Sequence, residues 1–176
     1  MTVKPQTLTW ATLLFAVAAS ACLAQDASTP AVNRNALIGT WRLVSVESVR
    51  PGGEVSREWM GPKPTGLITY DATGHMSVQI MRDPRPSFDS GRDRPGTPEE
   101  YKAAYDGYYA YFGTYEVNEV EGIILHRVRA SLWPREVGRE YRRHVKLSGD
   151  RLTLTTPPIN VAGEQRTNSL TWEHVK

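Results

Sequence analysis

Apolar and polar side chains alternate along much of this chain, and a period of two is typical of β-strands with two unlike faces. In the segment GHMSVQIM, Met76, Val78 and Ile80 share one face, while the polar side chains share the other. A second alternating run, TGLITY, precedes it, and residues 71–74 between the two runs have the composition of a hairpin turn. Further runs of this kind occur before and after this hairpin: LIGTWRLVSVESV, TYEVNEV, GIILHRVRASL, REYRRHVKL, RLTLTT and SLTWEHV.

One segment, TPEEYKAAYDGYYAYFG, has helical periodicity instead. Thr97 can cap a helix, Pro98 suits its first position, Glu100 completes a capping box and Gly113 can end it. Aromatic side chains recur at helical spacing along one face of this segment: Tyr101, Tyr105, Tyr108 and Phe112. The pattern predicts a helix over residues 98–112 whose aromatic face could plug or cover an open end of a barrel.

The predicted elements add up to a mainly β protein with about eight strands and one helix inserted mid-chain. Because the strands are joined mostly by short turns, successive strands should run antiparallel. Closing such a meander into a barrel is the arrangement that best removes its free edges. We therefore expect an antiparallel β-barrel.

Composition narrows the range of functions. The 176 residues suffice for one domain, with 23% charged residues, 40% hydrophobic residues and a formal net charge of +2. The charges are interspersed and form no basic stripe, so a nucleic-acid partner is not expected. The single cysteine, Cys22, excludes an internal disulfide and a thiolate metal site. No catalytic, phosphate-binding or metal-binding motif is present, and His126 and His144 are predicted on opposite faces, so no cofactor, metal or catalytic residue is expected.

The first residues are typical of an export signal. Residues 1–24 combine Lys4, a short apolar run and small residues before a cleavage site after Ala24, and the apolar run is too short for a membrane span. Residues 25–36 are polar and aperiodic, which predicts a tether ahead of a domain over 37–176. We expect a periplasmic or secreted protein. The alternative is a membrane-anchored lipoprotein, because residues 19–22 resemble a lipidation motif ending at Cys22.

Four segments resemble the bacterial and fungal lipocalin-like domain family: LIGTWRLVSVE, GLITYDATGHMSVQIMR, TPEEYKAAYDGYYAYFGTYEV and RRHVKLSGDRLTLTTPP. They lie within residues 37–158. The triplet Gly39-Thr40-Trp41 also resembles the Gly-x-Trp opening of classical lipocalins. The resemblance implies a small lipocalin-like β-barrel that binds an apolar ligand, with Gly39 and Trp41 in structural roles. It implies no particular reaction.

Two polar side chains, His126 and Arg143, are predicted on inward faces of strands. His126 lies opposite the face that carries Arg127 and Arg129, and Arg143 shares its face with Val145. Arg143 also falls where the family motif carries an arginine.

Each of the two allows more than one interpretation. In classical lipocalins an arginine packs on the Gly-x-Trp tryptophan, so Arg143 could lie over Trp41, a contact favourable by about 0.5–2 kcal/mol. Alternatively, Arg143 faces the ligand. His126 could be a hydrogen-bonded core residue, a ligand contact or a catalytic base.

The leading hypothesis is therefore an exported barrel that carries or sequesters a small hydrophobic molecule. The candidate ligand-binding residues lie on the inward strand faces and the predicted helix: Met76, Val78, Ile80, Tyr105, Tyr108, Phe112, His126 and Arg143. One alternative is a cofactor-independent isomerase or cyclase that uses the same cavity. Another is a ligand-free envelope scaffold, for which the barrel interior would be solid.

Overall fold

The fold is a closed antiparallel β-barrel, seen in a computed structural model that describes Met1 and residues 32–57, 59–89 and 96–176. In chain order the elements are a 3-10 turn (Arg34–Leu37), β1 (Gly39–Val49), β2 (Val55–Ser56), β3 (Thr65–Tyr70), β4 (His75–Met81), α1 (Pro98–Asp106), β5 (Tyr108–Asn118), β6 (Ile123–Ser131), a second 3-10 turn (Pro134–Glu136), β7 (Glu140–Ser148), β8 (Arg151–Thr155), β9 (Ile159–Val161) and β10 (Glu164–His174).

Eight of these strands form the barrel in the order β1-β3-β4-β5-β6-β7-β8-β10, and β10 pairs with β1 to close it. The short strands β2 and β9 extend β1 and β10 respectively. The predicted mainly β fold and its antiparallel barrel of eight strands with one inserted helix are thus confirmed.

Side-chain alternation sets which face of each strand is inside. Met76, Val78 and Ile80 are all buried, while the residues between them on β4 are less buried. His126 and Val145 are buried in the same way, and charged neighbours on β6 and β7 are exposed. The predicted inward phase of these strands is confirmed.

The predicted helix is too long. Helix α1 has the expected Thr97–Glu100 capping box but ends at Asp106, with Gly107 as its C-cap. Residues 108–112 belong to β5, which pairs with β4 from Tyr108↔Met81 to Thr114↔His75. In this ladder the backbone of residues 108–112 hydrogen-bonds to β4. Alternate aromatic side chains of β5 therefore face the interior, an arrangement that a continued helix would not give. The aromatic face predicted for residues 101–112 therefore does not form.

Trp41 is buried where the start of β1 pairs with the end of β10. Its indole Nε1 donates to the Leu37 carbonyl oxygen at 2.9 Å, and its ring packs edge-to-face on His174 at 4.7 Å between centroids. Gly39 has φ +140°, and a Cβ at this position would collide with the His174 ring. Arg143 does not pack on Trp41, so the interpretation of Arg143 as the partner of this tryptophan is wrong.

Residues 32–36, the end of the predicted tether, pack against the barrel. Val32 is buried, and Arg34 donates Nη2 to the Ala72 carbonyl oxygen at 2.9 Å. The rest of the predicted tether, Cys22 and all of the predicted leader beyond Met1 lie outside the described residues. Within the described part of the chain, no helix has the length and apolar character needed to span a bilayer.

Candidate ligand-binding site

The barrel contains a cavity of about 800 Å³. Apolar side chains from β3, β4, β8 and β10 form much of its wall: Ile68, Val78, Ile80, Leu154 and Leu170. This volume lies within the range of about 300–1,000 Å³ that is usual for small-molecule sites. The apolar inward face of GHMSVQIM therefore lines a space large enough for a ligand, so the barrel interior is not solid.

A hydrogen-bonded chain of three buried side chains crosses the interior. His126 Nε2 lies 2.9 Å from the Tyr70 hydroxyl, and His126 Nδ1 lies 2.9 Å from the Tyr111 hydroxyl. A neutral imidazole has one donor and one acceptor nitrogen, so one hydroxyl donates to the ring and the other accepts from it. Both polar ends of the ring are satisfied, as a buried polar group requires. His126 and Tyr111 also line the cavity.

Burial keeps the three hydrogen-bonded side chains Tyr70, His126 and Tyr111 uncharged at neutral pH. Desolvation, and then the positive charge of Arg143, lower the pKa of His126 to about 3. Desolvation also raises the pKa of Tyr111 to about 12 and the pKa of Tyr70 well above its ordinary value. Both ring nitrogens of His126 are engaged with tyrosine hydroxyls. The two hydrogen bonds therefore hold the His126 ring and the hydroxyls of Tyr70 and Tyr111 in fixed positions.

Aromatic side chains form a second wall, which we call the aromatic wall and define as Tyr109, Tyr111, Trp133 and Tyr141. The ring centroids of Tyr109 and Trp133 are 4.8 Å apart, and those of Tyr111 and Tyr141 are 5.7 Å apart. Burial and then a hydrogen bond to Glu136 raise the pKa of Tyr141 to about 12. Glu136 is itself buried and accepts a hydrogen bond from Ser131 Oγ at 3.2 Å.

Arg143 lines the cavity beside this wall. Its guanidinium carbon lies 4.9 Å from the centroid of the Tyr141 ring, and its Nη1 donates to the Arg142 carbonyl oxygen at 2.9 Å. Among the described residues, no carboxylate lies within ion-pair distance of Arg143. Within the described part of the chain, Arg143 is therefore an inward cation without a paired anion.

The structure brings four of the eight candidate ligand-binding residues into the cavity wall: Val78, Ile80, His126 and Arg143. Met76 is buried in the core but does not line the cavity. Tyr105 and Phe112 are exposed, and Tyr108 lies on the outer surface under the guanidinium of Arg85. Tyr105 lies on helix α1, none of whose residues is buried. Because the helix ends at Asp106, Tyr108 and Phe112 lie on β5, on the face opposite Tyr109 and Tyr111.

Sequence reasoning missed Tyr109, Tyr111, Trp133 and Glu136 as parts of the site. The helical spacing predicts both tyrosines in a helix, although Tyr109, Tyr111, Gly113 and Tyr115 alternate as an inward strand face does. Trp133 and Glu136 lie in the connection between β6 and β7, where no periodicity indicates direction. No feature of the sequence distinguishes Tyr70 from the rest of the run TGLITY.

Comparison with known proteins gives two matches. The model of the lipocalin-like domain family matches residues 38–175. The chain is also 32% identical over 104 residues to the 4'-hydroxy-3'-methoxypropiophenone carrier protein ppsC of Aspergillus oryzae, an alignment that covers 55% of this chain and 94% of the fungal protein. No solved structure matches the chain.

Proposed function

This chain belongs to the lipocalin-like domain family, and from that premise we propose that its barrel binds and carries a small, largely apolar molecule. The observation that carries the proposal is the cavity of about 800 Å³ inside the barrel. Apolar contact with the aliphatic side chains that line it would supply most of the binding free energy, since burial of apolar surface contributes roughly 25 cal/mol per Å².

The ligand we propose contains an aromatic ring. The fungal relative is named as a carrier of 4'-hydroxy-3'-methoxypropiophenone, an aromatic ketone. In this chain the aromatic wall offers faces and edges to a flat ring, and aromatic pairs gain about 0.5–1.5 kcal/mol beyond their burial of area. The hydrogen bond between His126 and the Tyr111 hydroxyl would hold this part of the wall rigid.

Binding can be tested with N-phenyl-1-naphthylamine, an uncharged aromatic probe whose fluorescence rises in apolar surroundings. We expect the parent protein to bind the probe with a saturable increase in emission. Leu170→Trp adds bulk to the cavity wall and should weaken binding at least tenfold. Leu67→Trp is the matched control because Leu67 is exposed on the outer face of β3.

Circular dichroism would establish that both variants remain folded. A parent protein that binds no probe would contradict the proposal. Equal weakening by the two variants would also contradict it, since Leu67 lines an outer groove and the probe would then not occupy the barrel interior.

We further propose that the protein is exported, with cleavage after Ala24. The apolar character and small residues of 1–24 support this proposal. Mass spectrometry of the protein recovered from a bacterial envelope fraction should give the mass of a chain that begins at Gln25. A membrane-bound product that becomes soluble in Cys22→Ser would instead identify a lipoprotein.

A further inference from the structure

Two buried hydrogen-bond donors belong to residues that line the cavity. Among the described residues, two buried side-chain polar atoms lack a partner, the indole nitrogens Trp133 Nε1 and Trp172 Nε1. Both residues line the cavity, and Trp172 is only 1% exposed. An indole N–H can donate but cannot accept. A buried donor without an acceptor is costly, so these two indoles show that acceptors are scarce around the cavity.

Arg143 adds further unused donors to the same cavity. A guanidinium carries five N–H donors in a planar fork and accepts no hydrogen bond. One of them is used on the Arg142 carbonyl oxygen, and one face of the group lies against Tyr141. The charge of Arg143 acts on the interior, because it contributes to the lowered pKa of His126 and opposes the raised pKa of Tyr111.

The carboxylate of the cavity wall and the buried tyrosine hydroxyls next to it already have hydrogen-bond partners. Four arginines and one acidic residue, Glu136, are among the described residues that line it. Glu136 accepts from Ser131 Oγ and is hydrogen-bonded to Tyr141. Among the described residues that line the cavity, Arg166 pairs with Glu164, whereas Arg82, Arg135 and Arg143 have no carboxylate within ion-pair distance. Of these three arginines, Arg143 is the one on an inward face of a barrel strand. The Tyr70 and Tyr111 hydroxyls are engaged with His126.

We propose that the barrel selects an apolar acid, bound as its carboxylate, with the two carboxylate oxygens on the Arg143 guanidinium and the apolar body in the cavity. This inference rests on the proposed binding function and adds the charge of the ligand to it. The two oxygens of a carboxylate match the fork of a guanidinium. A ligand amine would instead place a second cation near Arg143 and offer its guanidinium no acceptor.

The test compares three compounds with the same aromatic body and different head groups. These are 3-(2-naphthyl)propanoate, its primary amide and 3-(2-naphthyl)propan-1-amine, each used at pH 7 to displace N-phenyl-1-naphthylamine. We expect the carboxylate to displace the probe at a concentration at least tenfold lower than the amide. This factor corresponds to about 1.4 kcal/mol and is reached by one hydrogen bond to a charged group. The amine should be the weakest competitor.

Arg143→Gln should bring the affinity ratio of carboxylate to amide close to one. Arg142→Gln is the matched control, because Arg142 is the adjacent residue of β7, is exposed and carries the same charge. It should keep the full ratio. If Arg143→Gln fails to fold, Arg143→Lys retains the charge without the planar fork and should show an intermediate ratio.

The outcomes separate the two proposals. If neither the probe nor the three compounds bind, the proposed function is wrong and this inference falls with it. If they bind but the carboxylate has no advantage over the amide, binding stands and the selection of an acid is wrong. If Arg142→Gln lowers the ratio as much as Arg143→Gln does, long-range charge accounts for the preference and the assignment to Arg143 is overturned.

Discussion

Buried His126 makes the stability of the barrel depend on pH. Its folded-state pKa is about 3 against an ordinary value of 6.5, first because it is desolvated and second because Arg143 is nearby. In the unfolded chain the same imidazole takes up a proton as the pH falls below about 6.5. The unfolded state therefore binds more protons than the folded state between these two values, and the free energy of unfolding must decrease as the pH falls.

The magnitude follows from the two pKa values. A single group contributes a slope of about 1.4 kcal/mol per pH unit while only the unfolded state is protonated. Between pH 7 and pH 5 the contribution of His126 is therefore a loss of about 2 kcal/mol of unfolding free energy. The contribution is fully present above pH 6.5 and is lost progressively as the pH approaches 3.

His126→Gln isolates this contribution, because an amide can donate to one tyrosine and accept from the other but does not titrate. Urea unfolding at pH 7 and pH 5 should show a loss that is about 2 kcal/mol smaller in the variant than in the parent. His144→Gln, an exposed residue on β7, is the control and should lose as much as the parent. Equal losses in His126→Gln and the parent would refute the reasoning. So would an NMR titration in which the His126 ring protonates between pH 7 and pH 5.

Two further substitutions test the packing of the barrel. Ile80→Asp places a carboxylate without a partner at a buried position of β4 and should lower the free energy of unfolding by several kcal/mol. Gln79→Asp, on the other face of β4, should have a mild effect. Equal effects of the two substitutions in urea unfolding would contradict the inward phase. Gly113→Ala should be strongly destabilising because its Cβ would collide with the Arg127 carbonyl oxygen, whereas Gly52→Ala has open space around it and should change the melting temperature little. A stable Gly113→Ala variant would show that β5 and β6 can move apart at this point.

The strands and their inward faces could be predicted because each strand has one wet and one dry face. Charges at Arg127 and Arg129 marked the outer face of β6 and so placed His126 inside. The same reasoning placed Arg143 inside. The short strands at the barrel rim, in contrast, could not be predicted from the sequence. Strands β2 and β9 are too short to show any alternation.

The end of the helix could not be predicted, because residues 108–112 satisfy two periodicities at once. Tyr101, Tyr105, Tyr108 and Phe112 follow helical spacing, while Tyr109 and Tyr111 alternate as a strand does. Pairing with β4 decides between the two, and pairing is a long-range property. The aromatic wall was missed for this reason, and the exposed Phe112 was assigned to the site.

The closed ring of strands also determines how the barrel exchanges its backbone protons. Each of the eight barrel strands is hydrogen-bonded on both sides, so none can detach without breaking two ladders. Strands β2 and β9 are each held by a single short ladder, to β1 and β10 respectively. Amides of β2 and β9 should therefore exchange through small local openings, while amides of the barrel strands should become protected and exposed together. Because the barrel strands open only together, the cavity walls would stay intact while β2 and β9 open and close.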